Sequence, residues 1–151
     1  VRGQGAEMIP LDGGPSQPIS VALLDDPSAA RFVESVESGH ADHNTHQSLA
    51  QALGITQPAL RLDSQAKYGV VARGEAAIYL RLPSPKTPDY REKIWDHAAG
   101  SLIVQEAGGR VTDALGNELD FTQGRKLLNN RGVVATNGHM HTAVLNAINS
   151  L

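Results

Sequence analysis

Three short stretches carry residue types that can do chemistry. In Trp95-Asp96-His97-Ala98-Ala99-Gly100 a carboxylate opens a helical pattern. There Asp96 either complements the helix macrodipole and the unpaired amides or offers a hard oxygen ligand to a divalent cation. The small residues Ala98, Ala99 and Gly100 permit close backbone approach or ordinary tight helix packing. Leu62-Asp63-Ser64-Gln65-Ala66-Lys67 lies where a strand passes into a helix. Ser64 reads as an N-cap. A Ser hydroxyl, free helix amides and a Lys one turn later also make a phosphate cradle, and α/β folds hold ligands at such junctions. Arg81 ends a strand beside Tyr79. It is either solvated or salt-bridged or, if it shares a cleft with Lys67, a bidentate phosphate clamp.

The histidines read differently. His40, His43 and His46 stand at i, i+3 and i+6. On a helix the third is turned about 240° from the first, so one face cannot hold all three and a structural zinc site is not expected. His40 follows Ser38-Gly39 in a loop and is a candidate for stacking on a ligand. His139 and His141 flank the start of the last helix and read as exposed. No nucleophile elbow, His-Glu-x-x-His pair or P-loop is present. Gly3-Gln4-Gly5 lacks the third glycine and preceding strand of a dinucleotide fingerprint and reads as a turn.

The elements that must position these residues fit within one domain of 151 residues. The hydrophobic share, 40% before glycine is counted, is that of a packed domain. Thirteen Lys and Arg against sixteen Asp and Glu give a net charge of −3. That balance argues against a nucleic-acid or membrane-surface protein, although a local basic cluster can still bind phosphates. The absence of cysteine excludes disulfides, thiolate metal sites and cysteine nucleophiles. It also fits a reducing compartment, and a cytoplasmic location is expected. No apolar run approaches the ~18 residues of a membrane span. The chain opens Val-Arg-Gly-Gln-Gly, with neither an initiator Met nor a signal-peptide pattern, and reads as a fragment or a processed chain.

Residues 1–18 are rich in Gly and Pro and form a loop-rich start, in which Leu11–Ser16 reads as a turn or exposed loop. Strands are expected at 19–24, 58–62, 77–82, from 111 and at 132–136, and 30–36 reads as either a short strand or a helix. Helices are expected at 44–53, 65–72 and 95–107, and in a last segment capped by Asn137. In 77–82, Ile78, Leu80 and Leu82 share one face and Tyr79 and Arg81 the other. Gly108-Gly109 stops the third helix. Three prolines within 83–88 forbid regular structure there. The alternation predicts an α/β fold with at least part of its sheet parallel.

Longer motifs narrow the reading. Trp95-Asp96-His97-Ala98-Ala99-Gly100, with Glu106-Ala107-Gly108-Gly109, Asp113, Gly116 and Leu119-Asp120-Phe121, resembles the C-terminal signature of the inositol monophosphatase superfamily. These are magnesium-dependent, lithium-sensitive phosphatases. Leu62–Tyr68, Tyr79–Pro83 and Glu92–Asp96 resemble its 3′(2′),5′-bisphosphate nucleotidase branch, and the likeness runs from about Val33 to the end. The resemblance implies the C-terminal half of a layered αβαβα sandwich. It implies that Asp96 binds catalytic Mg2+, two or three ions serving the complete enzyme. It places Ser64, Lys67 and Arg81 on the nucleotide's phosphates and ribose, His40 near the adenine, and Glu37 beside it. The implied substrate is 3′-phosphoadenosine 5′-phosphate, giving AMP and phosphate, with 3′-phosphoadenylyl sulfate as a second substrate.

One departure matters. The family's Asp-Pro-Ile/Leu-Asp-Gly-Thr signature, which supplies most metal ligands, is absent, as is its upstream glutamate. The expected partner is therefore the missing N-terminal half of the same enzyme. The isolated chain is expected to be inactive. Two alternatives stand beside this reading: a catalytically silent nucleotide-binding fragment, and a phosphatase of inositol phosphates.

Overall fold

The computed structural model describes residues 2–36, 43–84 and 87–151, the side chain of His43 apart. A short antiparallel hairpin comes first, β1 (Ala6–Met8) and β2 (Gln17–Ile19). The main sheet has five strands: β3 (Phe32–Glu34), β4 (Leu60–Arg61), β5 (Ile78–Arg81), β6 (Arg110–Thr112) and β7 (Val133–Thr136). Their spatial order is β4-β3-β5-β7-β6. β3 is parallel to both β4 and β5, whereas β7 is antiparallel to β5 and β6. The helices are α1 (His43–Ala52), α2 (Ala66–Ala72), α3 (Ala98–Glu106) and α4 (His141–Asn149).

Alternation along the strands sorts the core into two layers. Val33, Tyr79, Val111, Val133 and Ala135 pack with Tyr68, Val70 and Val71 of α2 and Val104 of α3. Phe32, Ile78, Leu80 and Val134 pack with Leu49 of α1 and Val144 of α4. The sheet is thus covered on both faces, as strands with hydrophobic residues on both sides require. Tyr79 and Arg81 do share the face opposite Ile78 and Leu80, and that is the α2–α3 side.

Several expected boundaries move, each for a non-local reason. The strand expected at 19–24 pairs only at 17–19. Beyond it the backbone turns to α3, Val21 donating to the carbonyl of Ala107 at 3.0 Å. The helix expected at 95–107 begins only at Ala98, and Ile94–Asp96 form a separate 3-10 turn. A bridge between Lys93 and Lys126, with Leu127 N–H donating to Glu92 O at 2.9 Å, holds that segment out of the helix. Gly108 ends α3 as expected, at φ +92. Asn137 does not cap α4, which starts four residues later. Its amide instead donates to the carbonyls of Ala22 and Leu24. The carboxylate of Glu106 accepts the N–H groups of Gly3, Gln4 and Gly5 at 2.8–3.0 Å, which pins the glycine-rich start to the end of α3.

His141 is a further correction. It is fully buried, not exposed, and its two ring nitrogens lie 2.9 Å from the hydroxyls of Thr112 and Thr136. His139 is partly exposed beside Asp25. His46 is buried against Glu34, 3.1 Å away.

Candidate active-site cleft

β3, β4 and β5 run parallel, so Glu34, Arg61 and Arg81 end at one edge of the sheet. A cleft of about 450 Å³ opens there, the edge at which α/β sheets hold ligands. Its walls are Asp63, Ser64, Gln65, Lys67, Tyr79, Arg81, Glu92, Asp96 and His97. Ser64 and Lys67 come from the junction of β4 and α2, Arg81 from the end of β5, and Asp96 from the 3-10 turn before α3. The structure therefore brings together four of the six residues expected from the sequence. Glu37 and His40 lie outside the described residues.

Ser64 is not the N-cap. Gln65 holds that position, and Ser64 sits at φ +60, a left-handed conformation that disfavours residues with a Cβ. Its hydroxyl lies 3.4 Å from Ala66 N–H. Asp63 accepts Val36 N–H at 3.2 Å and ties the junction to the end of β3.

Lys67 is buried, with its Nζ 3.4 Å from the carbonyl of Leu62 and 5.4 Å from the centre of the Tyr79 ring. Burial lowers its pKa below the ordinary lysine value; Asp63 opposes that fall and Arg81 adds to it. Arg81 donates through Nε to Glu92 Oε1 at 3.1 Å. Burial works against the guanidinium's charge, but the Glu92 carboxylate outweighs it and the pKa is raised. Burial likewise works against Glu92, yet hydrogen bonds from His97 and Arg81 hold its pKa below the usual carboxylate value. Glu92 Oε2 lies 3.0 Å from His97 Nε2, and His97 Nδ1 lies 2.7 Å from the hydroxyl of Tyr68. An ionised carboxylate only accepts, so Nε2 carries a proton; in the neutral ring Nδ1 accepts from Tyr68. Burial raises the Tyr68 phenol well above its ordinary range, which keeps that hydroxyl protonated.

The Gln65 side chain couples the two halves of the cleft. Its Nε2 donates to Trp95 O and its Oε1 accepts Gly100 N–H, both at 3.0 Å. Both partners are backbone groups of fixed polarity, so only one amide orientation satisfies them. Gly100 is required by packing, because a Cβ there would stand 2.2 Å from Tyr68 Cδ2. The close approach that the small residues of this stretch permit is thus used by the Tyr68 ring.

Gln65, Glu92, His97 and Tyr68 are the residues that sequence reasoning did not assign. Glu92 and Arg81 stand eleven positions apart across a proline-rich loop, which no helical or strand period can span. Asp113 is also buried, and its carboxylate accepts the N–H groups of Leu115, Asn117 and Arg131. It organises the link from β6 to β7 rather than the cleft.

Asp96 is exposed on the cleft, and among the described residues no group hydrogen-bonds its carboxylate. Its donor type suits a hard cation. Yet no three His, Asp or Glu side chains gather to hold a metal among the described residues. The described residues do not by themselves make up a magnesium site.

Two cations, a hydroxyl on left-handed backbone and an exposed carboxylate thus line one cleft of an α/β fold, beside the carboxyl ends of its parallel strands. The pattern of the inositol monophosphatase family matches residues 1–151, and the chain belongs to that family. The match takes in the glycine-rich start as well as the segment from Val33. A 3′(2′),5′-bisphosphate nucleotidase of Oryza sativa is 52% identical over 146 residues, which is 97% of this chain and 40% of that protein. Another, of Emericella nidulans, is 50% identical over 151 residues, 98% of this chain and 42% of its own length. The chain thus spans about two fifths of these relatives. An inositol monophosphatase from Anabaena superposes with a TM-score of 0.65 at 22% identity, over 93% of this chain and 52% of that one. Mycobacterium tuberculosis SuhB gives 0.66 at 21%, over 98% and 51%. These likenesses show the fold, the family's α/β sandwich, of which this chain matches about half. No helix among the described residues is long and apolar enough to cross a membrane.

Proposed function

We propose that the protein to which this chain belongs hydrolyses 3′-phosphoadenosine 5′-phosphate to AMP and phosphate, and also acts on 3′-phosphoadenylyl sulfate. In this reading residues 1–151 are its C-terminal domain. They supply the nucleotide-holding wall and one metal-binding aspartate. The observation that carries the proposal is the convergence of Ser64, Lys67, Arg81 and Asp96 on one cleft. The names of the relatives supply the substrate class.

The roles follow from chemistry. Lys67 and Arg81 hold charge in a partly dry setting, where an ammonium or guanidinium attracts phosphate more strongly than in water. They position the nucleotide and move no proton. The Ser64 hydroxyl completes the contacts to phosphate and ribose, and Glu37 and His40 are assigned to the adenine side. Magnesium, when bound, neutralises phosphate charge and supplies an activated water. Asp96 is this chain's ligand to it, and the remaining ligands fall to the rest of the protein. The cysteine-free composition favours oxygen ligands and a reducing, cytoplasmic setting.

Steady-state turnover by the full-length protein tests the reading. The expected kcat/KM for 3′-phosphoadenosine 5′-phosphate exceeds that for an inositol monophosphate. The reverse order would transfer the assignment to inositol phosphates.

A further inference from the structure

The cleft contains a carboxylate that the proposed chemistry does not use. Glu92 is buried at 6% exposure, and it lies among the residues that would hold an anionic substrate. A negative charge there opposes phosphate binding, and burying it is unfavourable unless it is fully paired. Both of its oxygens are engaged, Oε1 by Arg81 and Oε2 by His97. Its backbone carbonyl accepts Leu127 N–H at 2.9 Å, so the residue is fixed at both ends.

His97 is held in turn. It is 2% exposed, and its second nitrogen meets the Tyr68 hydroxyl. The Tyr68 ring is wedged over Gly100 and meets the Tyr79 ring edge-on, with centroids 4.9 Å apart. A continuous chain of contacts therefore runs from the core to the cleft: Tyr68, His97, Glu92, Arg81. At its outer end stands a long side chain with several rotatable bonds. Ordering such a side chain is unfavourable, and doing so before the ligand arrives raises affinity without adding a contact.

We propose that Glu92 is a positioning residue that sets the Arg81 guanidinium against the cleft wall for a nucleoside bisphosphate, with His97 and Tyr68 holding Glu92 in place. The proposal rests on the nucleotide reading above. It assigns Glu92 no contact with substrate and no proton transfer. Its effect on binding passes through Arg81, and that is what separates it from a residue that only stabilises the fold.

A double-mutant cycle on the full-length protein tests this, with KM and kcat measured for 3′-phosphoadenosine 5′-phosphate. Glu92→Gln keeps the shape and removes the charge. It is expected to raise KM by about tenfold, the loss of one well-made charged contact, and to leave kcat within about threefold. Arg81→Ala is expected to raise KM at least as far. Adding Glu92→Gln to Arg81→Ala should then cause little further loss, because the guanidinium through which Glu92 acts is gone. An unchanged KM in Glu92→Gln, or losses that multiply fully in the double variant, would overturn the positioning role. An unchanged KM in Arg81→Ala would overturn the nucleotide reading itself, a result visible without any Glu92 variant. Should Glu92→Gln fail to fold, Tyr68→Phe keeps the ring and removes only the hydroxyl at His97. It is expected to raise KM by about twofold to threefold with kcat unchanged, and no change in KM counts against the proposal.

Discussion

The carboxamide oxygen of Gln65 accepts the backbone N–H of Gly100 at 3.0 Å, while the other end of the same amide reaches Trp95 O. One side chain on the Ser64–Lys67 junction thereby fixes the turn that carries Asp96. Replacing Gln65 by Ala removes both bonds and is expected to lower stability by about 1–2 kcal/mol. It should also lower kcat, since the carboxylate and the cations lose their common reference. Denaturant unfolding and steady-state kinetics on one preparation check both. Unchanged kcat with lowered stability would confine Gln65 to a structural role.

Gly100 carries the second prediction. A methyl group there would meet the Tyr68 ring at 2.2–2.8 Å. Gly100→Ala is expected to destabilise by about 3 kcal/mol, the upper end of ordinary overpacking, because the ring is enclosed and has nowhere to move. Near-UV circular dichroism should register the displaced tyrosine. A wild-type unfolding midpoint would show that the helix shifts to accept the methyl group.

Lys67 sets stability against function. Burial lowers its pKa, so the folded state binds this proton less tightly than the unfolded chain does. Stability therefore rises with pH between the folded and unfolded values, and the penalty is complete below the folded one. Lys67→Met is expected to raise the unfolding midpoint at pH 7 while weakening nucleotide binding and flattening its salt dependence. A lowered midpoint would mean that the Leu62 and Tyr79 contacts outweigh the cost of burying the charge.

How much of this was legible in the sequence depends on the range of the cause. The β4–α2 junction, the two faces of β5 and the stop at Gly108 follow from local pattern, and they place Ser64, Lys67 and Arg81. What failed was set by partners far along the chain. Asp96 lies on a 3-10 turn because the segment before it pairs with residues 125–127. The Arg81–Glu92–His97–Tyr68 chain joins residues of separate elements and a loop, so no one element's pattern reveals it. His141 looked like a surface residue because the two threonines that bury it come from β6 and β7.

That histidine gives an acid signature. Burial, with Arg110 adding to it, lowers the pKa of His141 to about 4. Thr112 already donates its hydroxyl proton to Asp113 O, so Nε2 donates to Thr112 and Nδ1 accepts from Thr136. The folded pKa lies below the unfolded value of about 6.5. The neutral ring's contribution is therefore complete above that value and is lost as pH falls from 6.5 towards 4. Unfolding midpoints measured across this window should drop in the wild type and drop less in His141→Asn. Equal slopes would assign the acid sensitivity to another group.

The proposed role of Asp96, as a metal ligand in a phosphatase site completed elsewhere in the protein, stands or falls on its carboxylate. The most direct measurement is magnesium-dependent phosphate release from 3′-phosphoadenosine 5′-phosphate by the full-length protein and its Asp96→Asn variant. Asp96→Asn is expected to lose about a hundredfold in kcat while still binding the nucleotide. Wild-type turnover by Asp96→Asn would contradict it.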